Sequence, residues 1–143
     1  MSSSKARENL TLELKIMSAT DIRNVNIMSE MDVYALAWID GEPNRRRPLF
    51  KSTPIAYSSG SNPTWNHHFK FSVNDRLALD GRLTLSVKPV SHRPLGGDRD
   101  IGQVDVPVLT LLLQNMPSLL INGDGAGMMS VSYPVRVVGG TKV

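Results

Sequence analysis

Two stretches of this chain carry residue types that could do chemistry. The first is a carboxylate, Asp32, at the mouth of an apolar run from Val33 to Ile39, after an irregular loop of Asn, Ser and Glu. A hard cation suits such a place, but it needs six to eight oxygens, several of them carboxylate, converging from more than one loop. Asp32 alone does not make a site. The second is "NRRRPLFK", where Arg45, Arg46, Arg47 and Lys51 either solvate a loop or meet phosphates of a lipid or nucleic acid. Other chemistry is thin. No Ser-His-Asp arrangement or nucleophile elbow is present, and "GDGAG" lacks the Lys-Ser/Thr ending of a phosphate-cradling loop. Three scattered histidines do not suggest zinc. No enzyme is expected.

The elements that would position these residues are strands. "LTLELKIM", residues 10 to 17, alternates with Leu10, Leu12, Leu14 and Ile16 on one face, the period-2 mark of a half-buried strand. Residues 33 to 39 form a second strand, apolar on both faces, closed by the turn pair Asp40-Gly41. A third is predicted from Leu49 to Pro54. In "TWNHHFKFSV", Trp65, His67, Phe69, Phe71 and Val73 point inward, while Asn66, His68, Lys70 and Ser72 point outward. "RLTLSVKPV", "DIGQVDVPV" and "VSYPVRVV" read as three more strands, with one or two helical turns in "LTLLLQN". Seven strands with little helix predict an all-β fold, an antiparallel sandwich. Residues 1–9 are expected to be a flexible segment before a single domain over residues 10–143.

Composition agrees. The chain has 143 residues, 41% hydrophobic and 20% charged, enough for one domain with a real core. It has no cysteine, so no disulfide scaffold or thiol nucleophile. No window reaches the roughly 18–20 apolar residues of a membrane span, and "MSSSKARENL" lacks the apolar core of a signal peptide. A cytoplasmic protein, at most peripheral to a membrane, is the expectation. Sixteen Lys+Arg against thirteen Asp+Glu leave a net charge of only +3, so the distribution of charge matters more than its sum.

"SATDIRNVN", the Met-Asp-Val-Tyr approach to the second strand, "NPTWNHHFKF" and "DIGQVDVPV" occur here in the order found in the C2 domain, the calcium- and lipid-binding β-sandwich. The chain resembles that family over about residues 10 to 138, most specifically in Asn-Pro-Thr-Trp-Asn before an alternating Phe strand. "MDVYALAWID", "VSHRPLGGDRDIG" and "SYPVRVVGG" look most like the small plant C2 proteins of the cold-regulated, defence-associated type. The resemblance implies an eight-strand plan, whereas seven are counted before "GGTKV". Gly139-Gly140 reads as a turn into a last strand barely begun, which would leave an edge for pairing with another chain. Trp65 reads as an anchor closing its loop onto the core.

The resemblance also implies about five aspartate positions for calcium. They fall on Asn26, Asp32, Ser91, Arg93, and either Arg99 or Asp98. One or two carboxylates out of five remain, and the arginines add repulsion. No calcium cofactor is therefore expected, beyond a weak site on Asp32, Asp98 and Asp100. The alternative role of Asp32 is to accept backbone N–H bonds as a turn residue. His92 stands where related plant proteins often carry an acid.

Two binding roles follow. In the first, the domain docks to anionic phospholipid without calcium. Lys51, His68 and Lys70 would line an outward basic groove of the kind that binds phosphoinositides in family members, with Arg45, Arg46 and Arg47 extending it. Ile27 and Met28 either insert or pack under a neighbouring loop. In the second, the sandwich is an adaptor that presents an edge or loop to a signalling protein in plant stress or immunity. Nucleic acid is not an expected partner, because Trp65, Phe69 and Phe71 share the buried phase and leave no aromatic platform.

Overall fold

The computed structural model describes residues 9–43 and 47–113. In chain order the elements are β1 (Asn9–Ser18), β2 (Val33–Asp40), β3 (Lys51–Ser52), β4 (Thr64–Asn74), α1 (Asp75–Leu79), β5 (Thr84–Ser91), β6 (Arg99–Asp100) and β7 (Val104–Pro107). Alternation in β1 and β4 makes the first sheet. They pair antiparallel from Asn9↔Asn74 to Ile16↔His67, so Leu12, Phe69, Phe71 and Val73 share the buried face. The second sheet runs β3-β2-β5-β6, with β7 also on β5. Antiparallel strands in two sheets enclosing one core are the β-sandwich expected from the sequence.

The core between the sheets is lopsided. β2 turns Ala35, Ala37 and Ile39 inward, and β4 answers with Phe69 and Phe71; Ala37, Ile39 and both phenylalanines join one cluster with Leu83, Leu85 and Val108. The aromatic side chains of β2 lie on its other face, where Trp38 stacks edge-on with Phe50 at 5.0 Å and its indole N–H donates to Asp40 at 2.9 Å. β2 is thus apolar on both faces, as read, with Ala35 and Ala37 inside beside Ile39.

Two register shifts shape the strands. Pairing slips by one residue between Ile16↔His67 and Ser18↔Thr64, and Asn66 takes φ 48° at that bulge. Asparagine tolerates this left-handed backbone better than most residues. β6 and β7 both pair with β5, but Val90↔Asp100 and Val87↔Val104 differ in register by one. "DIGQVDVPV" is therefore one strand position interrupted by a bulge at 101–103, which turns Ile101 into the core at 1% exposure.

Four sequence expectations change. β1 begins at Asn9, one residue inside the segment expected to be flexible. The strand expected over 49–54 has only Lys51–Ser52 in regular pairing, because Pro54 cannot donate to a ladder. α1 was not expected; Asn74 caps it by accepting the Leu77 N–H at 2.9 Å, and five residues are too few to show a helical period. Val108 opens a helical turn over 108–113 instead of ending a strand. The strand expected at 131–138 and the edge at Gly139-Gly140 lie outside the described residues.

Asn66 gives a direct test of the first bulge. Asn66→Ala should lower the unfolding free energy by about 1–2 kcal/mol, the cost of a left-handed non-glycine residue, while Asn66→Gly should stay within a few tenths. Urea denaturation of the two variants measures both; equal losses would show that the side chain, not its backbone angle, matters there.

Candidate functional site

Three loops meet at one end of the sandwich: residues 19–32, 53–63 and 92–98. Beneath them Ile22, Met31, Val33 and Ile101 form a second buried cluster, with Ala19, Val25 and Trp65 packed against it. Backbone bonds lace the loops together. Ala19 N–H donates to the Pro63 carbonyl at 3.0 Å, Ile22 to Ser61 at 3.1 Å, Gly60 to Met31 at 3.1 Å and His92 to Asp32 at 2.7 Å. The indole N–H of Trp65 donates to the Val33 carbonyl at 2.9 Å, so the tryptophan ties its loop to the mouth of β2.

Asp32, Asp98 and Asp100 each have a donor from the chain itself. Asp32 Oδ1 accepts the Ser58 N–H at 2.7 Å. Ser58 holds φ 54°, which costs about 1–2 kcal/mol; a hydrogen bond to an ionised acceptor, about 1.5–3 kcal/mol, offsets it. Asp98 Oδ2 accepts the Tyr34 hydroxyl at 2.6 Å, and its Oδ1 accepts the Arg93 N–H at 3.0 Å. His92 Nδ1 lies 3.2 Å from the same Oδ1. Asp100 Oδ2 accepts from Lys88 Nζ at 3.2 Å. Asn26 and Ser91, both at positions where the resemblance implies aspartate, bond each other at 3.0 Å from Ser91 Oγ to Asn26 Oδ1. Ser91 is fully buried.

This donor set does not fit calcium. The ion needs several carboxylates converging on one point, whereas Asp32, Asp98 and Asp100 are directed to three different donor groups. Among the described residues, no three His, Cys, Asp or Glu side chains gather as a metal-holding group. Asp98, not Arg99, closes the 92–98 loop; Arg99 already belongs to β6.

At the tips of the same loops the side chains are apolar and exposed. Ile27 and Met28 are each 92% exposed, Tyr57 70% and Leu95 86%. The packed alternative for Ile27 and Met28 is not what the chain adopts. Tyr57 and Leu95 were missed in the sequence, because an isolated apolar residue in a loop carries no periodic signal.

The basic residues do not form one groove. His68 and Lys70 leave the outward face of β4, where β1 supplies Lys15 opposite His68 and Glu13 opposite Lys70. Lys70 Nζ is 4.0 Å from Glu13, an exposed pair of little energetic weight. Lys51 belongs to the other sheet, and its Nζ lies 5.4 Å from the ring centroid of the inward Phe71. Lys51 therefore does not share a face with His68 and Lys70. Arg47 is exposed, while Arg45 and Arg46 lie outside the described residues. Lys15 was overlooked because its neighbour depends on a cross-strand register that sequence does not display.

A sandwich of this strand order with three laced loops at one end is the plan of a C2 domain, and the C2 domain family model matches residues 10–121. The chain belongs to that family. It is 47% identical over 128 residues to Protein SRC2 of Glycine max, covering 90% of this chain and 41% of that protein. It is 35% identical over 130 residues to a Protein SRC2 homolog of Arabidopsis thaliana, covering 91% of this chain and 36% of that one. The chain thus spans less than half the length of these curated relatives. Among solved structures it superimposes on a C2 domain of plant Extended Synaptotagmin 1 with a TM-score of 0.57 at 20% identity, over 68% of each chain. That likeness carries the fold alone.

The Asp98 clasp has a spectroscopic signature. Burial pushes the Tyr34 phenol from 10.0 up to about 12, aided by its hydrogen bond to Asp98 and by the charges of Asp98 and Asp100. The Tyr34 hydroxyl, then the Arg93 N–H, hold the Asp98 carboxyl below its ordinary value. The raised phenol contributes stability fully present below pH 10 and lost as pH rises through about 12. The lowered carboxyl contributes stability present above its unfolded value and lost as pH falls through the folded one. Absorbance titration should show a late phenol that vanishes in Tyr34→Phe. In Asp98→Asn it should move part of the way toward 10, since burial remains. A late phenol unmoved by Asp98→Asn would mean that the clasp is absent in solution.

Proposed function

We propose that this domain is a non-catalytic membrane-docking module that binds anionic phospholipid surfaces without calcium, as a peripheral component of stress or defence signalling in the cytoplasm. The observation that carries the reading is the loop end itself: three loops fixed by their own hydrogen bonds, with Ile27, Met28, Tyr57 and Leu95 standing exposed at the tips. A loop end already cross-linked by protein donors needs no cation to order it. Among the described residues no helix is long and apolar enough to cross a membrane, so contact would be made by these tips and by nearby charge.

Magnitudes favour a joint mechanism. Full burial of an aliphatic side chain is worth about 1.5–3 kcal/mol, so shallow insertion of Ile27, Met28 and Leu95 gives roughly 3 kcal/mol. Each Lys or Arg beside an anionic leaflet adds about 1 kcal/mol. Three of them bring the total to about 6 kcal/mol, a Kd on the order of tens of micromolar. Neither contribution alone holds the protein at a membrane. The adaptor role is the second reading, favoured by Leu49 and Phe50, which are 63% and 56% exposed beside the middle of β2.

Sedimentation with phosphatidylserine vesicles tests the first reading. Binding should persist in EGTA and weaken as salt rises. It should fall about tenfold or more in Ile27→Ser/Met28→Ser/Leu95→Ser, a loss of about 1.4 kcal/mol or greater. Lys70→Glu should also weaken it, with the fold intact. Millimolar calcium should leave the melting temperature unchanged. Binding that appears only with calcium and is lost in Asp32→Ala would overturn the proposal.

A further inference from the structure

Among the described residues nothing pairs with the outer edge of β3, and the chain has fixed that edge in a shape that an extended peptide can join. Thr53 N–H donates to the Ala35 carbonyl at 3.0 Å. In an antiparallel ladder the bonded residues alternate, so Lys51 bonds toward Ala37 and the backbone N–H and C=O of Ser52 point away from β2. Phe50, two residues earlier, has the same phase. Among the described residues β3 pairs only with β2. Pro48 and Pro54 bound the stretch, neither able to donate a backbone bond, and beyond Pro54 the pairing resumes one residue out of step at Val33↔Ala56. The open window is thus residues 49–53.

Two ring contacts hold this window from either side. Phe50 meets Trp38 edge-on at 5.0 Å on the outer face, and Lys51 Nζ sits 5.4 Å over Phe71 on the inner side. Leu49 and Phe50 are nonetheless more than half exposed, and Arg47 and Lys51 are exposed beside them. The edge offers backbone groups with no partner among the described residues, two apolar side chains and two cations, pre-arranged at little entropic cost to a partner.

We propose that β3 is a strand-addition site for an extended peptide of another protein, one that alternates carboxylates with aliphatic side chains. Backbone bonds to Ser52 and Phe50 would give pairing, carboxylates would meet Arg47 and Lys51, and the aliphatic side chains, all on the peptide's other face, would cover Phe50. The same charges disfavour a second copy of this chain, because edge-to-edge pairing of two copies brings these cations together. The site is separate from the loop tips, so it stands whether or not they enter a membrane.

Ser52→Pro isolates the edge. It removes a backbone N–H that points outward, breaks no bond to β2 and changes no charge. The probes are a fluorescein-labelled, end-capped short peptide alternating Glu with Val, and its Lys-Val counterpart, followed by anisotropy. The Glu-Val peptide should bind the wild type, weaken with salt and lose about tenfold or more in affinity to Ser52→Pro; the Lys-Val peptide should not bind. Phe50→Ala should weaken it similarly and carries the test if the proline variant unfolds by circular dichroism. No binding of the Glu-Val peptide to wild type, or equal binding by wild type and both variants, would overturn the site. So would a dimer in sedimentation that Ser52→Pro dissolves, which would make the occupant a second copy. Vesicle binding lost in Ser52→Pro as fully as peptide binding would make it a lipid site instead.

Discussion

Carboxylates gathered near the mouths of strands repel one another, and something must supply positive partial charge. In this domain the supply is internal. Asp98 shows the pattern most fully, because one carboxylate accepts a phenol and a backbone N–H and has an imidazole nitrogen within reach. The phenol comes from β2 and the other two groups from the loop after β5. A single charge thus fastens the loop to the sheet. The Asp32 bond to Ser58 fastens the next loop in the same manner, and the Asn26–Ser91 bond closes the third contact without any charge. Phenol and carboxylate each shift the other, so a change at one is felt at the other.

That arrangement rests on the small apolar cluster below it. Met31 and Ile101 are 1% exposed and Val33 fully buried, so the loops are anchored by hydrophobic burial at their roots and by polar bonds above. The bulge before β7 serves this cluster directly, since the extra residue is what turns Ile101 inward. Exposed apolar side chains at the tips are then displayed from a fixed base. Held this way, they give up little conformational freedom on contact with another surface.

How much of this the sequence displayed depends on the range of the interaction concerned. The strands with strict alternation, β1 and β4, were legible because period 2 is a local property, and Phe69, Phe71 and Val73 are buried in the phase it implies. The family was legible from Asn-Pro-Thr-Trp-Asn, whose first turn and left-handed Asn66 demand particular residue types. β3 was overextended because the apolar content of 49–54 says nothing about whether Pro54 interrupts the ladder. α1 escaped because a one-turn helix is specified by a cap rather than a period. The pairing of Asn26 with Ser91, and of Tyr34 with Asp98, joins residues about 65 positions apart, and no local pattern encodes such contacts. The grouping of Lys51 with His68 and Lys70 failed for a related reason: side-chain phase along one strand does not reveal which sheet a neighbouring strand joins.

The lopsided core has a consequence for how this sequence is free to drift. Where alanines at 35 and 37 line β2 and Phe69 and Phe71 line β4, the rings supply more of the local volume than the strand of alanines does. Enlarging Ala37 by itself meets backbone and ring at native density, and trimming Phe71 by itself leaves a void. Either step is harmful alone, yet the two together exchange volume across the sandwich and restore the packing. Related sequences should therefore vary at these positions as coupled pairs, and a designer who repacks the domain must treat facing residues on the two sheets as one unit of choice.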